Sequence, residues 1–282
     1  MSFSRSSAAW RNKPMRNDDI DSTPAALAQW LKHEHAARSR FVSFADRAGI
    51  AALASAYEVQ RHYVGLHLLE RKSRVAGYKI GLTSAAMQAM CAIESPVAGV
   101  VLEDRVHASG VRVRRSDYAR LGVEFEIAVL LGHDLPGGAA PCTLDDVAAA
   151  VAGVAPAIEI VDDRNCDYAK LDVLSLVADN AWNAGIVLGE FRAAWPDLAQ
   201  VEGAVAVNGA EPSWRGCGKD VLGHPFAAVA WLADHLAGAG QSLRKGDVVM
   251  TGSMVTTQFP TGSQRLRFDV SGLGAVEIVV DE

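Results

Sequence analysis

Residues 122–132 read GVEFEIAVLLG, an apolar stretch that contains two glutamates. Its length and its β-branched and aromatic residues predict a β-strand. Side chains alternate between the two faces of a strand, so Glu124 and Glu126 share one face while Phe125 and Ile127 share the other. The strand therefore places two carboxylates in apolar surroundings, where an uncompensated charge is costly.

A third glutamate interrupts a second apolar stretch, PAIEIV at residues 156–161. Three carboxylates that meet at one point supply the oxygen ligands that a hard cation such as Mg²⁺ prefers. The pattern therefore predicts a divalent-metal site formed by Glu124, Glu126 and Glu159. The alternative interpretation is a half-exposed strand whose polar face carries the glutamates.

Composition and charge narrow the class of protein. The chain has 282 residues, of which half are hydrophobic and 21% charged, and its formal net charge is −6. This charge, and the lack of a lysine- and arginine-rich block, argue against a nucleic-acid or anionic-membrane partner. The four cysteines form no C-x-x-C pair, so a zinc or redox motif is not expected. With no signal peptide or membrane-spanning stretch apparent, we expect a cytoplasmic protein.

The apolar pattern changes along the chain and predicts its organisation. Residues 1–23 show no apolar period and are expected to form a flexible tail. Residues 24–282 are expected to form a single domain. Apolar spacings of three and four predict two or three helices over residues 24–74, and short strand-like segments between turns predict a β-rich body over residues 75–282.

Four further residues are candidates for substrate contact or catalysis. Lys79 lies between glycines in GYKIG, where a buried lysine can bind a carboxylate or transfer a proton; an exposed edge-strand lysine is the alternative. Arg164 can grip a substrate carboxylate with two hydrogen bonds, or belong to a surface ion pair. Asp179 and Ser253 are substrate-binding candidates that ordinary turn chemistry explains equally well.

Five segments, taken in order along the chain, resemble one known family. They are GYKIGLTS (77–84), VEFEIA (123–128), PAIEIVDDR (156–164), VADNA (177–181) and the closing segment from LGHP (222–225) to GDVVMTGS (246–253). They are similar to the 2-keto-4-pentenoate hydratase / 4-oxalocrotonate decarboxylase family, within the fumarylacetoacetate hydrolase superfamily. The resemblance begins near residue 51 and continues to the C-terminus.

The resemblance implies an α+β fold, the mixed β-sandwich roll of the fumarylacetoacetate hydrolase C-terminal type with an N-terminal helical region. It implies that Glu124, Glu126 and Glu159 bind Mg²⁺ or Mn²⁺ and that Lys79 is a catalytic lysine. The family acts on 2-oxo acids and 2-hydroxy-2,4-dienoates from meta-cleavage of aromatic compounds. We therefore expect a single catalytic domain with metal-dependent lyase activity on a small 2-oxo acid, assembled as a homo-oligomer.

Two departures from the family pattern concern the substrate pocket. Hydratases of the family usually have an aspartate where this chain has Val97, whereas decarboxylases tolerate an aliphatic residue there. Trp182 replaces a small serine and would reshape the pocket, which allows a different substrate. Glu94 is a candidate to replace the missing acid, and Leu82 is a further candidate for substrate contact.

The sequence leaves three activities open. The first is a lyase, with hydration and decarboxylation not resolved from each other. The second is a hydrolase of a 1,3-diketone of the acylpyruvate type, which needs a histidine–acid pair to activate water. The third is a family member without activity. The histidine candidates for the second activity are His33, His35, His62 and His67.

Overall fold

The computed structural model describes residues 22–135, 137–138 and 140–282, so most of the expected N-terminal tail lies outside it. Its α-helices are α1 (Pro24–Ala36), α2 (Ala45–Ala48), α3 (Leu53–Arg71), α4 (Ala85–Met90), α5 (Leu144–Ala150), α6 (Val173–Ala178) and α7 (Pro225–Gly238). Its strands are β1 (Val75–Gly81), β2 (Val97–Leu102), β3 (Val106–Ala108), β4 (Val111–Arg114), β5 (Leu121–Leu131), β6 (Val151–Asp162), β7 (Asn183–Leu188), β8 (Glu202–Val207), β9 (Trp214–Cys217), β10 (Val248–Ser253), β11 (Gln264–Val270) and β12 (Gly274–Asp281). Three helices thus precede the first strand, as the apolar spacing predicts.

The strands form two mixed sheets. One has seven strands in the order β2-β1-β10-β5-β6-β7-β3, and the other has five in the order β4-β12-β11-β8-β9. The sheets pack through a shared apolar core, in which the rings of Phe125 on β5 and Phe268 on β11 lie 5.5 Å apart. Burial of one such ring stabilises the fold by about 1.5–3 kcal/mol. The predicted sandwich of sheets behind an N-terminal helical region is confirmed.

Strand β5 is central and is buried on both faces. Val123, Phe125 and Ile127 are fully buried against the core between the sheets, whereas Ala128 belongs to a separate cluster on the opposite face. The alternation that the sequence predicts is therefore present. Because the strand is paired with β10 on one side and β6 on the other, its backbone is hydrogen-bonded along both edges.

A helical layer covers one end of the seven-stranded sheet. Leu31 of α1, Val59 of α3 and Val177 of α6 share an apolar cluster with Val97 of β2. Gln60 of α3 fastens this layer, because its side-chain amide donates to the carbonyls of Ala98 (2.9 Å) and Val177 (2.8 Å). The sheet and the helices are thereby held in one arrangement, although whether residues 24–282 fold as a single domain stays a prediction.

The helix starts follow local sequence signals. Ser84 caps α4 by accepting from the backbone N–H of Met87 (3.3 Å). Thr143 and Asp146 form a reciprocal capping box at the start of α5, and Pro225 is the first residue of α7. The side chains of Ser84, Thr143 and Asp146 accept hydrogen bonds from backbone N–H groups that have no partner within the helix. Pro225 has no N–H at the position where one would be unpaired. None of the helices in the described part of the chain is long and apolar enough to span a membrane.

Candidate metal centre

The three glutamates converge. Glu124 on β5 lies directly opposite Glu159 on β6, and Glu126 lies two residues further along β5, on the same face. One carboxylate oxygen of each residue lies within 4.8 Å of the corresponding oxygens of the other two. The antiparallel register thus produces the cluster that the sequence predicts, and metal binding by these residues stays a prediction.

Glu126 and Glu159 are fully buried, and a protein donor holds one oxygen of each. Oε2 of Glu126 accepts from the backbone N–H of Gly252 at 2.8 Å, and Oε1 of Glu159 accepts from Nδ2 of Asn183 at 2.8 Å. Oε1 of Glu126 has no hydrogen-bond partner within the described residues. A buried carboxylate oxygen without a partner is costly, and a bound cation would remove that cost.

Glu124, which is half-buried, also has one carboxylate oxygen held by a protein donor. Its Oε1 accepts from the hydroxyl of Thr257 at 2.6 Å. Each of the three carboxylates therefore has one oxygen held by a separate donor, and the second oxygen of Glu159 lies 3.3 Å from Nζ of Lys79. A divalent cation bound here would be held by these three carboxylates and would keep further positions for substrate and water.

Lys79 supplies positive charge beside the glutamates. It is 4% exposed, and its Nζ lies 3.3 Å from Oε2 of Glu159. Burial acts to lower the pKa of Lys79, but the three nearby carboxylates outweigh it and raise the pKa above its ordinary value. Gly99 leaves room for the lysine stem, because a Cβ there would lie 3.0 Å from Cγ of Lys79. The lysine is therefore buried, charged and in contact with the cluster.

The same surroundings raise the pKa values of two of the three carboxyls. Burial, and then repulsion from Glu159 and Glu124, raise the pKa of Glu126 well above its usual range. Burial raises the pKa of Glu159 to about 7, although Lys79 acts to lower it. Protons and a metal cation should therefore compete for these two carboxyls near neutral pH.

We expect stabilisation by Mg²⁺ to increase with pH. A carboxyl whose pKa is raised by folding, here from 4.5 to about 7 for Glu159, makes the metal-free fold less stable as pH rises through that window. A bound cation prevents this loss of stability, because it neutralises the carboxylate in place of the proton. The rise in melting temperature on adding Mg²⁺ should be larger at about pH 8 than at about pH 5.5. Equal rises at both pH values, measured by scanning calorimetry, would contradict this prediction.

The structure brings Arg164 and Asp179 together in a second buried cluster. Nη2 of Arg164 donates to Oδ2 of Asp179 at 2.7 Å, and Nε2 of His35 lies 2.6 Å from Oδ1 of the same residue. Nη1 of Arg164 donates to the carbonyl of Ser39 at 3.2 Å. Burial acts to raise the pKa of Asp179, but His35 and Arg164 hold it below its usual range. The guanidinium is engaged within the protein, and a role for either residue in substrate binding stays a prediction.

A left-handed turn links this second cluster to the metal centre. Asn180, Ala181 and Trp182 have φ values of +52°, +45° and +60°. The side chain of Asn180 accepts from the backbone N–H of Val100 (2.7 Å) and donates to its carbonyl (2.9 Å). Trp182 is buried, and its ring packs edge-on against Phe41 at 5.2 Å. The chain then enters β7.

The remaining predicted residues fall into three environments. Leu82 and Val97 are buried in the same apolar cluster as Trp182. Ser253 is half-buried, and its hydroxyl donates to one backbone carbonyl at 2.6 Å and accepts from one backbone N–H at 3.1 Å. Glu94 is exposed, in contrast to the buried glutamates. A substrate role for each of these residues stays a prediction.

Asn183 and Thr257 contact the glutamates but are not among the sequence-based candidates. Gly252 donates through its backbone N–H, and the segment TGS at residues 251–253 indicates in the sequence that such N–H groups can face an anion. A sequence signal did exist for Asn183, because a short polar residue stands two positions after the VADNA motif and begins an apolar strand.

Comparison with known proteins identifies the family. The family model described as fumarylacetoacetate (FAA) hydrolase C-terminal matches residues 82–281. This chain belongs to that family. The curated relative 2-keto-4-pentenoate hydratase 1 of Dechloromonas aromatica (strain RCB) is 34% identical over 263 residues, which are 93% of this chain and 98% of the relative. A 4-oxalocrotonate decarboxylase of Pseudomonas putida is 34% identical over 208 residues, which are 73% of this chain and 78% of the decarboxylase.

A solved structure extends the family match to the N-terminal helices. It is 4-oxalocrotonate decarboxylase from Pseudomonas putida G7, complexed with magnesium and adipate. The match covers 95% of this chain and 100% of the decarboxylase chain, with a TM-score of 0.84 and 28% sequence identity. The same protein is also known complexed with calcium and acetate. The predicted hydratase/decarboxylase family and its fold are both confirmed.

Proposed function

We propose that this family member is a divalent-metal-dependent lyase, a hydratase or a decarboxylase, that acts on a small 2-oxo acid or 2-hydroxy-2,4-dienoate, as in the meta-cleavage catabolism of aromatic compounds. The observation that carries this proposal is the cluster of three glutamates, in which a separate donor holds one oxygen of each carboxylate and a buried lysine lies beside Glu159. The relatives compared above are hydratases and decarboxylases, which favours a lyase over a 1,3-diketone hydrolase.

The donor set fits Mg²⁺ or Mn²⁺. Glu124, Glu126 and Glu159 offer hard oxygen ligands, and the buried Oε1 of Glu126 lacks any other partner within the described residues. When bound, such a cation supplies Lewis acidity that stabilises negative charge on a 2-oxo oxygen. The chain itself contributes the ligand geometry and the buried surroundings in which that charge interacts strongly.

Lys79 is positioned to move the proton that either reaction needs. Its Nζ is protonated and buried beside Glu159. In decarboxylation this ammonium can protonate the carbon that loses CO₂, and in hydration it can deliver a proton to the carbon next to the one that receives water. Leu82, Val97 and Trp182 belong to one buried apolar cluster.

Two substrates separate the candidate reactions. The full-length protein is incubated with Mg²⁺ and either 2-hydroxypenta-2,4-dienoate or 2-oxohex-3-enedioate, and ultraviolet absorbance and CO₂ release are followed. Turnover of the first indicates a hydratase, and CO₂ release from the second indicates a decarboxylase. If neither compound reacts while an acylpyruvate is cleaved, the protein is a hydrolase and the proposal is wrong.

Val97 offers a direct test of which reaction the pocket favours. It lies opposite Gly81 in the β1–β2 register, and a Cβ at Gly81 would lie 3.5 Å from Cγ2 of Val97 and 3.4 Å from Nζ of Lys79. A carboxylate at position 97 would therefore stand close to Lys79 as an added acid–base group. We expect Val97→Asp to raise hydration relative to decarboxylation by about tenfold or more. The neutral Val97→Asn is the control, and an unchanged product ratio would contradict the prediction.

Assembly and location remain predictions that belong to the same proposal. We expect a homo-oligomer, as the family resemblance implies. Light scattering after size-exclusion chromatography measures the assembly. Fractionation of the host cell tests the expected cytoplasmic location.

A further inference from the structure

The side chain of Asn183 reaches a fully buried metal-binding candidate. Its Nδ2 donates to Oε1 of Glu159 at 2.8 Å, while Oε2 of Glu159 lies 3.3 Å from Nζ of Lys79. Glu159 has no exposed surface, so bulk water cannot replace this hydrogen bond. Without Asn183, the carboxylate would be free to turn both oxygens toward the lysine.

We propose that Asn183 is a positioning residue of the metal centre, which holds Oε1 of Glu159 and so fixes the orientation of this carboxylate beside Lys79 and the other two glutamates. The inference rests on the proposed metal-dependent function and deepens it. A hydrogen bond from outside the ligand set fixes the orientation of a ligating carboxylate, and its loss typically lowers metal affinity by about 10–100-fold.

Strand pairing directs Asn183 at Glu159. Asn183 pairs with Val161, whereas the next paired residues are Gly185 and Ile160, so β7 has one extra residue at this point. A bulge of this kind changes the direction of the side chains beside it. Val161 lies two residues from Glu159 and on the same face of β6, so the side chain opposite Val161 can reach the glutamate.

The left-handed turn before β7 is the second element that places Asn183. Left-handed backbone at non-glycine residues is unfavourable and persists only where the surroundings hold it. Here Asn180 is tied to both backbone groups of Val100, and Asp179 is tied to Arg164 and His35. The contacts of Asp179 and Asn180 therefore hold the turn that places Asn183 beside Glu159.

Thr257 provides an internal comparison. Its hydroxyl holds Oε1 of Glu124 in the same way, but Glu124 is half-buried, so water can take the place of a lost hydroxyl. The loss of Thr257 should therefore weaken metal binding less than the loss of Asn183.

The test is a titration of the full-length protein with Mn²⁺, in which free Mn²⁺ is measured by electron paramagnetic resonance. We expect Asn183→Ala to raise the Kd for Mn²⁺ by about 10–100-fold and Thr257→Val to raise it by less than about tenfold. Ser271→Ala removes an exposed hydrogen bond from the backbone N–H of Glu202, outside the metal centre, and should leave the Kd unchanged. Metal-free Asn183→Ala should melt at a lower temperature than metal-free Ser271→Ala, because the lost bond leaves a buried carboxylate oxygen without its donor. The Kd of the folded protein therefore carries the test.

Asn183→Leu, which keeps the volume but lacks the donor, serves if the alanine variant does not fold, and it should show the same loss. Asn183→Ser, which keeps a short donor, should recover part of the affinity. A Kd within about twofold of the native value in Asn183→Ala or Asn183→Leu would overturn the inference. Failure of the native chain to bind Mn²⁺ would instead overturn the proposed function, so the two failures are distinguishable.

Discussion

Glu126→Gln is expected to abolish metal binding and to lower kcat/KM by about 10³-fold or more, because a Lewis-acid cation contributes several kcal/mol to such reactions. Glu126 is fully buried, and its Oε1 has no other partner within the described residues. The glutamine keeps the size of the side chain and an oxygen that accepts from Gly252, so the fold is retained. What is lost is the charge that a cation needs.

The same substitution should stabilise the metal-free protein. Burial and repulsion by Glu159 and Glu124 raise the pKa of Glu126, so an ionised Glu126 opposes folding above its unfolded pKa. A neutral amide removes this cost, and the melting temperature of the metal-free variant should rise at about pH 8. Glu202→Gln, at an exposed position on β8, should change neither Mn²⁺ binding nor the melting temperature. Native Mn²⁺ affinity in Glu126→Gln would remove Glu126 from the ligand set.

Lys79→Met is expected to have the second large effect, on both stability and turnover. Removing the cation beside Glu159 leaves buried carboxylates uncompensated, and breaking a buried ion pair in this way costs about 3–5 kcal/mol. The loss should be larger at about pH 8 than at about pH 5.5, because at the lower pH Glu159, with a pKa of about 7, holds a proton. We also expect kcat to fall by about 10²–10⁴-fold, the range for loss of a general acid.

Mg²⁺ separates the two roles of Lys79. The cation should restore much of the stability of Lys79→Met, because it neutralises the same carboxylates, but it should not restore kcat. Lys79→Arg keeps the charge and should retain stability better than Lys79→Met. Denaturant unfolding and steady-state kinetics measure the two quantities. Recovery of both by Mg²⁺ would show that Lys79 only balances charge.

The glutamate cluster was predictable because its signals are local. Alternation along β5 places Glu124 and Glu126 on one face. Glu159 stands out in the sequence because it is a charged residue within an apolar strand. The helix starts at Ser84 and Thr143 were predictable for the same reason, since a cap bonds to a backbone N–H three residues away. The closeness of Lys79 to Glu159 was expected only from the family resemblance.

The contacts of the other candidate residues could not be predicted from neighbouring residues in the sequence. Arg164 was a candidate for binding a substrate carboxylate, but it contacts Asp179, 15 residues away in the chain. His35 contacts the same carboxylate from 144 residues away. Which oxygens of the glutamates are held and which are free depends on Thr257, at a sequence distance of 133 residues from Glu124.

The amino-acid sequence by itself determined the family, the strands that carry the carboxylates and the chemical type of the site. These properties follow from side-chain periodicity and from groups that lie a few residues apart, where chain connectivity already sets the geometry. The tertiary structure alone decided that Glu124 faces Glu159, that Asn183 holds Glu159 and that Arg164 is engaged by Asp179. Those contacts depend on strand register and on the packing of helices against a sheet, which arise only when distant segments of the chain bury their apolar faces together.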